Sequence, residues 1–185
     1  GRGVTYSMLA REIPRLGAPV SRYTWVDFLQ GRVPEGIRFF VFMNTWGMTS
    51  EELKRAEKQL RERQATELWF YAPAYIDRTS GCYSPEATHR LIGLDLERVD
   101  EYSMMNYELT AEGTTLFPAF QKRWCKPYRY APTGLGLHSS LTATPPYDDP
   151  YAPVFTVEPA DGVTVLGEYD DRPGAALART DVAGR

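Results

Sequence analysis

The chain reads as an α/β protein, and three consecutive stretches predict it. Ile37-Arg38-Phe39-Phe40-Val41-Phe42-Met43-Asn44 is a nearly continuous apolar run of strand length. A turn at Asn44-Thr45-Trp46-Gly47 leads into a helix that marks its own start. Thr49 or Ser50 can cap it, Glu51 and Glu52 suit the positive end of its dipole, and Thr49 with Glu52 has capping-box spacing. Leu53, Ala56 and Leu60 fall on one face of that helix, and Lys54, Arg55, Lys58, Arg61, Glu62 and Arg63 on the other. A second apolar run, Glu67-Leu68-Trp69-Phe70-Tyr71-Ala72, follows and stops at Pro73. Strand, one-sided helix, strand is the pattern of a right-handed βαβ unit with parallel strands buried on both faces.

The rest of the chain is arranged around that unit. Val4 to Leu16 reads as a helix with Tyr6, Leu9, Ala10 and Ile13 as its apolar stripe, ended or bent by Pro14, with Gly17 after it. Ala18 to Trp25 reads as a short strand, Val26 to Gln30 as a helical turn, and Gly31 to Gly36 as a loop. Beyond an irregular segment from Ala74 to Tyr83, Ser84 is placed as a cap and Pro85 as the first residue of a short helix reaching Ile92, with Gly93 ending it. Leu94 to Leu109 holds a strand around Arg98-Val99-Asp100-Glu101-Tyr102. From Pro118 to Pro153 the chain carries seven prolines and is read as a loop-rich insertion. Three short runs follow, Val154 to Val157, Val163 to Tyr169 and Ala175 to Arg179. Turns at Asp161-Gly162 and Asp170 to Gly174 separate them, and with no helix between they read as antiparallel hairpins.

Composition narrows the partners. A length of 185 residues suits one α/β domain, and 43% hydrophobic with 24% charged residues is ordinary for a globular chain. Aromatic content of 13% is high, which fits either large rings filling the layers or an adhesive surface. The net charge of −3 comes without a basic block, so no nucleic-acid partner is expected. No stretch approaches the ~20 apolar residues that span a bilayer, so no membrane partner is expected either. No leader is visible, but Gly1-Arg2-Gly3 does not resemble a natural start. Two cysteines, Cys82 and Cys125, make no disulfide framework. The compartment stays undetermined, with the cytoplasm favoured.

Five segments carry a resemblance: Leu16-Gly17-Ala18-Pro19-Val20, Phe40-Val41-Phe42-Met43-Asn44, Met48-Thr49-Ser50-Glu51-Glu52, the run from Leu68 through Tyr71-Ala72-Pro73-Ala74-Tyr75 to Ile76, and Val165 to Tyr169 followed by Pro173 to Arg179. In this order they resemble the flavodoxin-like trimerisation domain of family 42 beta-galactosidases and related glycoside hydrolases, a fold shared with class I glutamine amidotransferases. The resemblance covers about two thirds of the chain. It implies a three-layer flavodoxin-like domain with a mainly parallel sheet, plus short antiparallel strands near the C-terminus. Residues 1–185 are then a single such domain, with 118–153 a loop insertion within it. Only Gly1 to Gly3 precede the first helix, where the family has a strand, and a closing strand is also missing. The resemblance therefore implies an excised piece of a larger enzyme, or a sheet completed by a neighbouring chain.

Catalytic chemistry finds no support in the residues. In the amidotransferases a nucleophilic Cys stands on the corner after a central strand. The matching corner, Pro73-Ala74-Tyr75, offers no Cys, Ser or Thr, a degenerate elbow. The family's His is followed two residues later by Glu, whereas His138 is followed by Ser139 and Ser140. Glu86 and His89 share a helical face but do not make a metal site, and no cofactor is expected. Asp148-Asp149 and Asp170-Asp171 are turn residues rather than acids flanking a glycosidic bond. Thr133-Gly134-Leu135-Gly136-Leu137 lacks the context of a phosphate loop. The resemblance thus implies a non-catalytic accessory or oligomerisation domain of a glycoside hydrolase, shaping a carbohydrate site or serving assembly. Its expected partners are further copies of itself or the parent chain's catalytic barrel, with carbohydrate as a candidate ligand. Trp46, Tyr75, Tyr102 and Tyr107 are the ligand or interface candidates, with core packing the alternative for each. The rival function is a small-molecule or sugar-binding or hydrolase domain using the crevice at the strand ends, with Cys82, Ser84 or His138 recruited from loops.

Overall fold

The structure is a computed structural model, and it describes residues 17–43, 45–99, 107–118, 123–124, 154–170 and 172–182. The fold is mixed α/β. Its described residues fall into two compact units, one from Ser21–Leu96 with the described residues of Thr180–Arg185, the other from Glu97–Arg179 with the described residues of Gly1–Val20.

The first unit contains the βαβ element that the sequence predicts, but its strands are not buried on both faces, since Phe39 is 54% exposed. Strand β1 (Phe39–Phe42) pairs in parallel with β3 (Thr66–Trp69), with Phe40 opposite Glu67 and Phe42 opposite Trp69. Between them lie the short strand β2 (Gly47–Met48) and helix α2 (Ser50–Arg63). Thr49 caps α2 through a complete capping box: its hydroxyl accepts from the Glu52 amide, and the Glu52 carboxylate accepts from the Thr49 amide at 2.8 Å. Leu53, Ala56 and Leu60 are buried, as their spacing requires, and pack with Phe28, Val33, Phe40, Phe42, Met48 and Ile92. Aromatic rings dominate this core. Phe42 stacks on Trp69 with centroids 3.9 Å apart, and Phe28 meets Phe40 and Phe42 edge-on. Strand β4 (Ile76–Asp77) pairs in parallel with β2, and helix α3 (Pro85–Ile92) ends at Gly93, whose φ of +69° suits the left-handed cap.

Four details differ from expectation. The strand expected over Ala18 to Trp25 is absent among its described residues. Trp25 instead opens helix α1 (Trp25–Leu29), because Thr24 and Asp27 form a capping box and so claim the start of a helix. Arg63, placed by spacing on the solvated face of α2, is buried. Its guanidinium donates to the carbonyls of Val33 at 2.8 Å and Pro34 at 2.9 Å and lies over the Phe40 ring. The run expected to extend to Ala72 ends as a strand at Trp69, since Tyr71 turns left-handed with φ +69°. Ser84 precedes α3 as expected, but its side chain makes no cap bond; its amide donates to the Tyr75 carbonyl at 2.7 Å.

The second unit is built on a sheet ordered β5-β8-β10-β9-β6-β7, the last five of which pair antiparallel. Its strands are β5 (Leu96–Val99), β6 (Tyr107–Leu109), β7 (Arg123–Trp124), β8 (Val154–Val157), β9 (Thr164–Tyr169) and β10 (Ala175–Arg179). Of the three C-terminal runs, β9 and β10 form the antiparallel hairpin that the sequence predicts, whereas β8 pairs with β10 and not with β9, so the Asp161-Gly162 turn closes no hairpin. Helix α4 (Ala111–Leu116) was not foreseen. Thr110 caps it, accepting from the Gly113 amide while its hydroxyl donates to the Val165 carbonyl at 2.8 Å. A Cβ on Gly113 would stand 1.9 Å from the Leu166 carbonyl oxygen, so this short helix sits against β9 only because residue 113 is glycine. The expected helix over Val4 to Leu16 lies outside the described residues. So do Asp100 to Tyr102 and, apart from Pro118 and the two residues of β7, the Pro-rich 118–153 insertion.

Candidate functional site

The carboxyl ends of β1 and β3 lie side by side, and the chain leaving each strand is tied to the other. The Phe70 amide donates to the Phe42 carbonyl at 3.1 Å, carrying the parallel pairing one residue past β3. The corner Tyr71-Ala72-Pro73-Ala74-Tyr75 comes next. Ala74 returns to the β1 side, its amide donating to the Thr45 carbonyl at 2.9 Å, and the Ile76 amide then donates to the Trp46 carbonyl at 2.8 Å. The Arg78 side chain passes close to Gly47, where a Cβ would stand 3.1 Å from Cγ.

Two residues of the corner, Tyr71 and Ala74, have positive φ without being glycine, at +69° and +57°. Such backbone costs about 1 kcal/mol or more and persists only where its surroundings impose it. Three hydrogen bonds do so here. The Thr88 hydroxyl on α3 donates to the Pro73 carbonyl at 2.9 Å, the Thr45 carbonyl takes the Ala74 amide, and the Tyr75 carbonyl takes the Ser84 amide. Ala72, Pro73, Ala74 and Thr88 are all buried. Thr45 is 7% exposed and its hydroxyl has no hydrogen-bond partner among the described residues.

Outside the corner the chain forms a small hairpin. Ile76 bridges Tyr83 antiparallel, and the Asp77 amide donates to the Cys82 carbonyl at 2.9 Å. Asp77 folds the intervening loop over itself, accepting from the Thr79 amide at 2.9 Å and the Ser80 hydroxyl at 3.0 Å. The Thr79 amide, then the Ser80 hydroxyl, hold the Asp77 carboxyl below the usual aspartate range. Arg78 reaches back to Glu52 at 2.6 Å, joining this loop to the capping box of α2.

The four aromatic candidates separate in this geometry. Trp46 and Tyr75 are brought together, on the two segments leaving the parallel strands. Trp46 is half-buried, while Tyr75 is only 7% exposed and packed, its ring 5.2 Å from that of Tyr83. Tyr83, which the sequence did not single out, is 56% exposed and presents the open ring of this pair. Tyr107 belongs to the other unit, on β6, opposite Trp124 and Tyr169, where burial pushes its phenol upward. Tyr102 lies outside the described residues.

Cys82 is exposed, with its thiol directed at the Ser80 carbonyl at 3.9 Å. The His89 Nδ1 atom meets the Asp95 carboxylate at 2.8 Å. His138 lies outside the described residues. No cluster of three or more His, Cys, Asp or Glu side chains is placed to hold a metal among the described residues. No helix among them is long and apolar enough to cross a membrane.

Comparison with family models, curated proteins and solved structures finds no match. The functional reading therefore rests on the corner and its surroundings.

Sequence reasoning located the corner but not the groups that hold it. Thr88 was discoverable, since it lies one turn from Leu91 and Ile92 on the apolar side of its helix. Tyr83 and Asp77 had no signal, because a hairpin closed by a single bridge leaves no periodicity to detect.

Proposed function

We propose that the chain is a non-catalytic domain of a glycoside hydrolase-like protein, serving assembly of that protein or shaping a carbohydrate site supplied by another part of it. The corner after β3 carries this reading. At Ala74 the backbone takes the strained conformation that a strand-end elbow uses to present a nucleophile. The residue held there is a buried alanine, with no Cys, Ser or Thr from Pro73 to Ile76. The nearby hydroxyl of Thr88 is spent on the Pro73 carbonyl. A corner with the form of an elbow and no reagent fits the resemblance to the trimerisation domain of family 42 beta-galactosidases. On this reading the parallel β1–α2–β3 element is the flavodoxin-like part of the chain. Its partners are further copies and the parent protein's catalytic barrel. The test is turnover by the isolated chain: no hydrolysis of chromogenic β-galactosides or of glutamine is expected, and turnover abolished by substituting Cys82 or His89 would overturn the reading.

A second reading, a sugar-binding crevice, is favoured by the exposed ring of Tyr83 lying against Tyr75. It predicts a saturable fluorescence change on titration with galactose or lactose, absent in Tyr83→Ala. A flat titration removes it.

A further inference from the structure

We draw no further inference here: the strongest candidate, the side of the β1–β3 pair that carries Phe39, Val41 and Leu68 and leaves Phe39 54% exposed, is an apolar face for which nothing in the structure shows what covers it.

Discussion

The hydroxyl of Thr88 donates to the carbonyl of Pro73 at 2.9 Å, and both side chains are fully buried. One bond thus fastens the middle of α3 to the corner that follows β3. Thr88→Val keeps the shape and removes the donor, leaving a buried carbonyl unpaired. A loss of about 1–3 kcal/mol is expected, read from urea denaturation. Thr88→Ser should retain the bond and lose less. Equal stability of the valine and serine variants would show that the bond contributes nothing.

Ala74 tests the strain itself. With φ +57° and 1% exposure, it has backbone that glycine adopts freely and a methyl group with little room to grow. Ala74→Gly should change stability by less than about 1 kcal/mol, as relief of strain offsets the freer unfolded chain. Ala74→Val should cost more than about 2 kcal/mol, since a β-branched residue is a true outlier there and the site is packed. Thermal melts of the two variants give the comparison, and a well-tolerated valine would mean the corner is not held in this form.

Arg63 is expected to behave as a core residue despite its charge. Its two short bonds to the Val33 and Pro34 carbonyls fix the loop before β1 against α2. Lysine cannot reproduce that fork, so Arg63→Lys should destabilise by about 1–3 kcal/mol. Arg61→Lys, at an exposed position two residues earlier, should be neutral within about 0.5 kcal/mol. Equal effects at the two positions would place Arg63 in solvent.

The Asp77 loop should respond to acid. Its carboxyl is a stronger acid in the folded chain because the Thr79 amide and then the Ser80 hydroxyl bind the charged form. The stabilisation is therefore complete above the unfolded value near pH ~4 and is lost as pH falls through the lower folded value. Amide exchange at Thr79, whose N–H faces the carboxylate, should quicken relative to the core over that acid window. In Asp77→Asn the acid-dependent step should vanish, and its persistence would assign the step to another group.

The legible parts of this fold are those in which neighbouring residues suffice. Thr49 and Glu52 announce α2 because a capping box is local. Pro85 and Gly93 bracket α3 for the same reason. Asp170 to Gly174 joins β9 and β10 in the antiparallel hairpin that its residues predict, while β8 pairs with β10 and not with β9. The misread parts depend on distant partners. Arg63 looked solvated because periodicity counts charges as polar, while its burial is decided by carbonyls near residue 33, thirty residues away. Helix α4 escaped notice because its six residues show no full apolar turn and its fit to β9 depends on a missing Cβ at Gly113. At the site, the lack of Cys, Ser or Thr from Pro73 to Ile76 was plain from the letters alone. The left-handed turn at Ala74 and its support by Thr88 were not, since backbone handedness at an alanine leaves no trace in composition.

The proposal that this chain assembles with further copies of itself is tested most directly by its mass in solution. Light scattering across a range of concentrations should give a whole-number multiple, above one, of the 21.0 kDa chain. A single 21.0 kDa species at every concentration, with the fold intact, would contradict it.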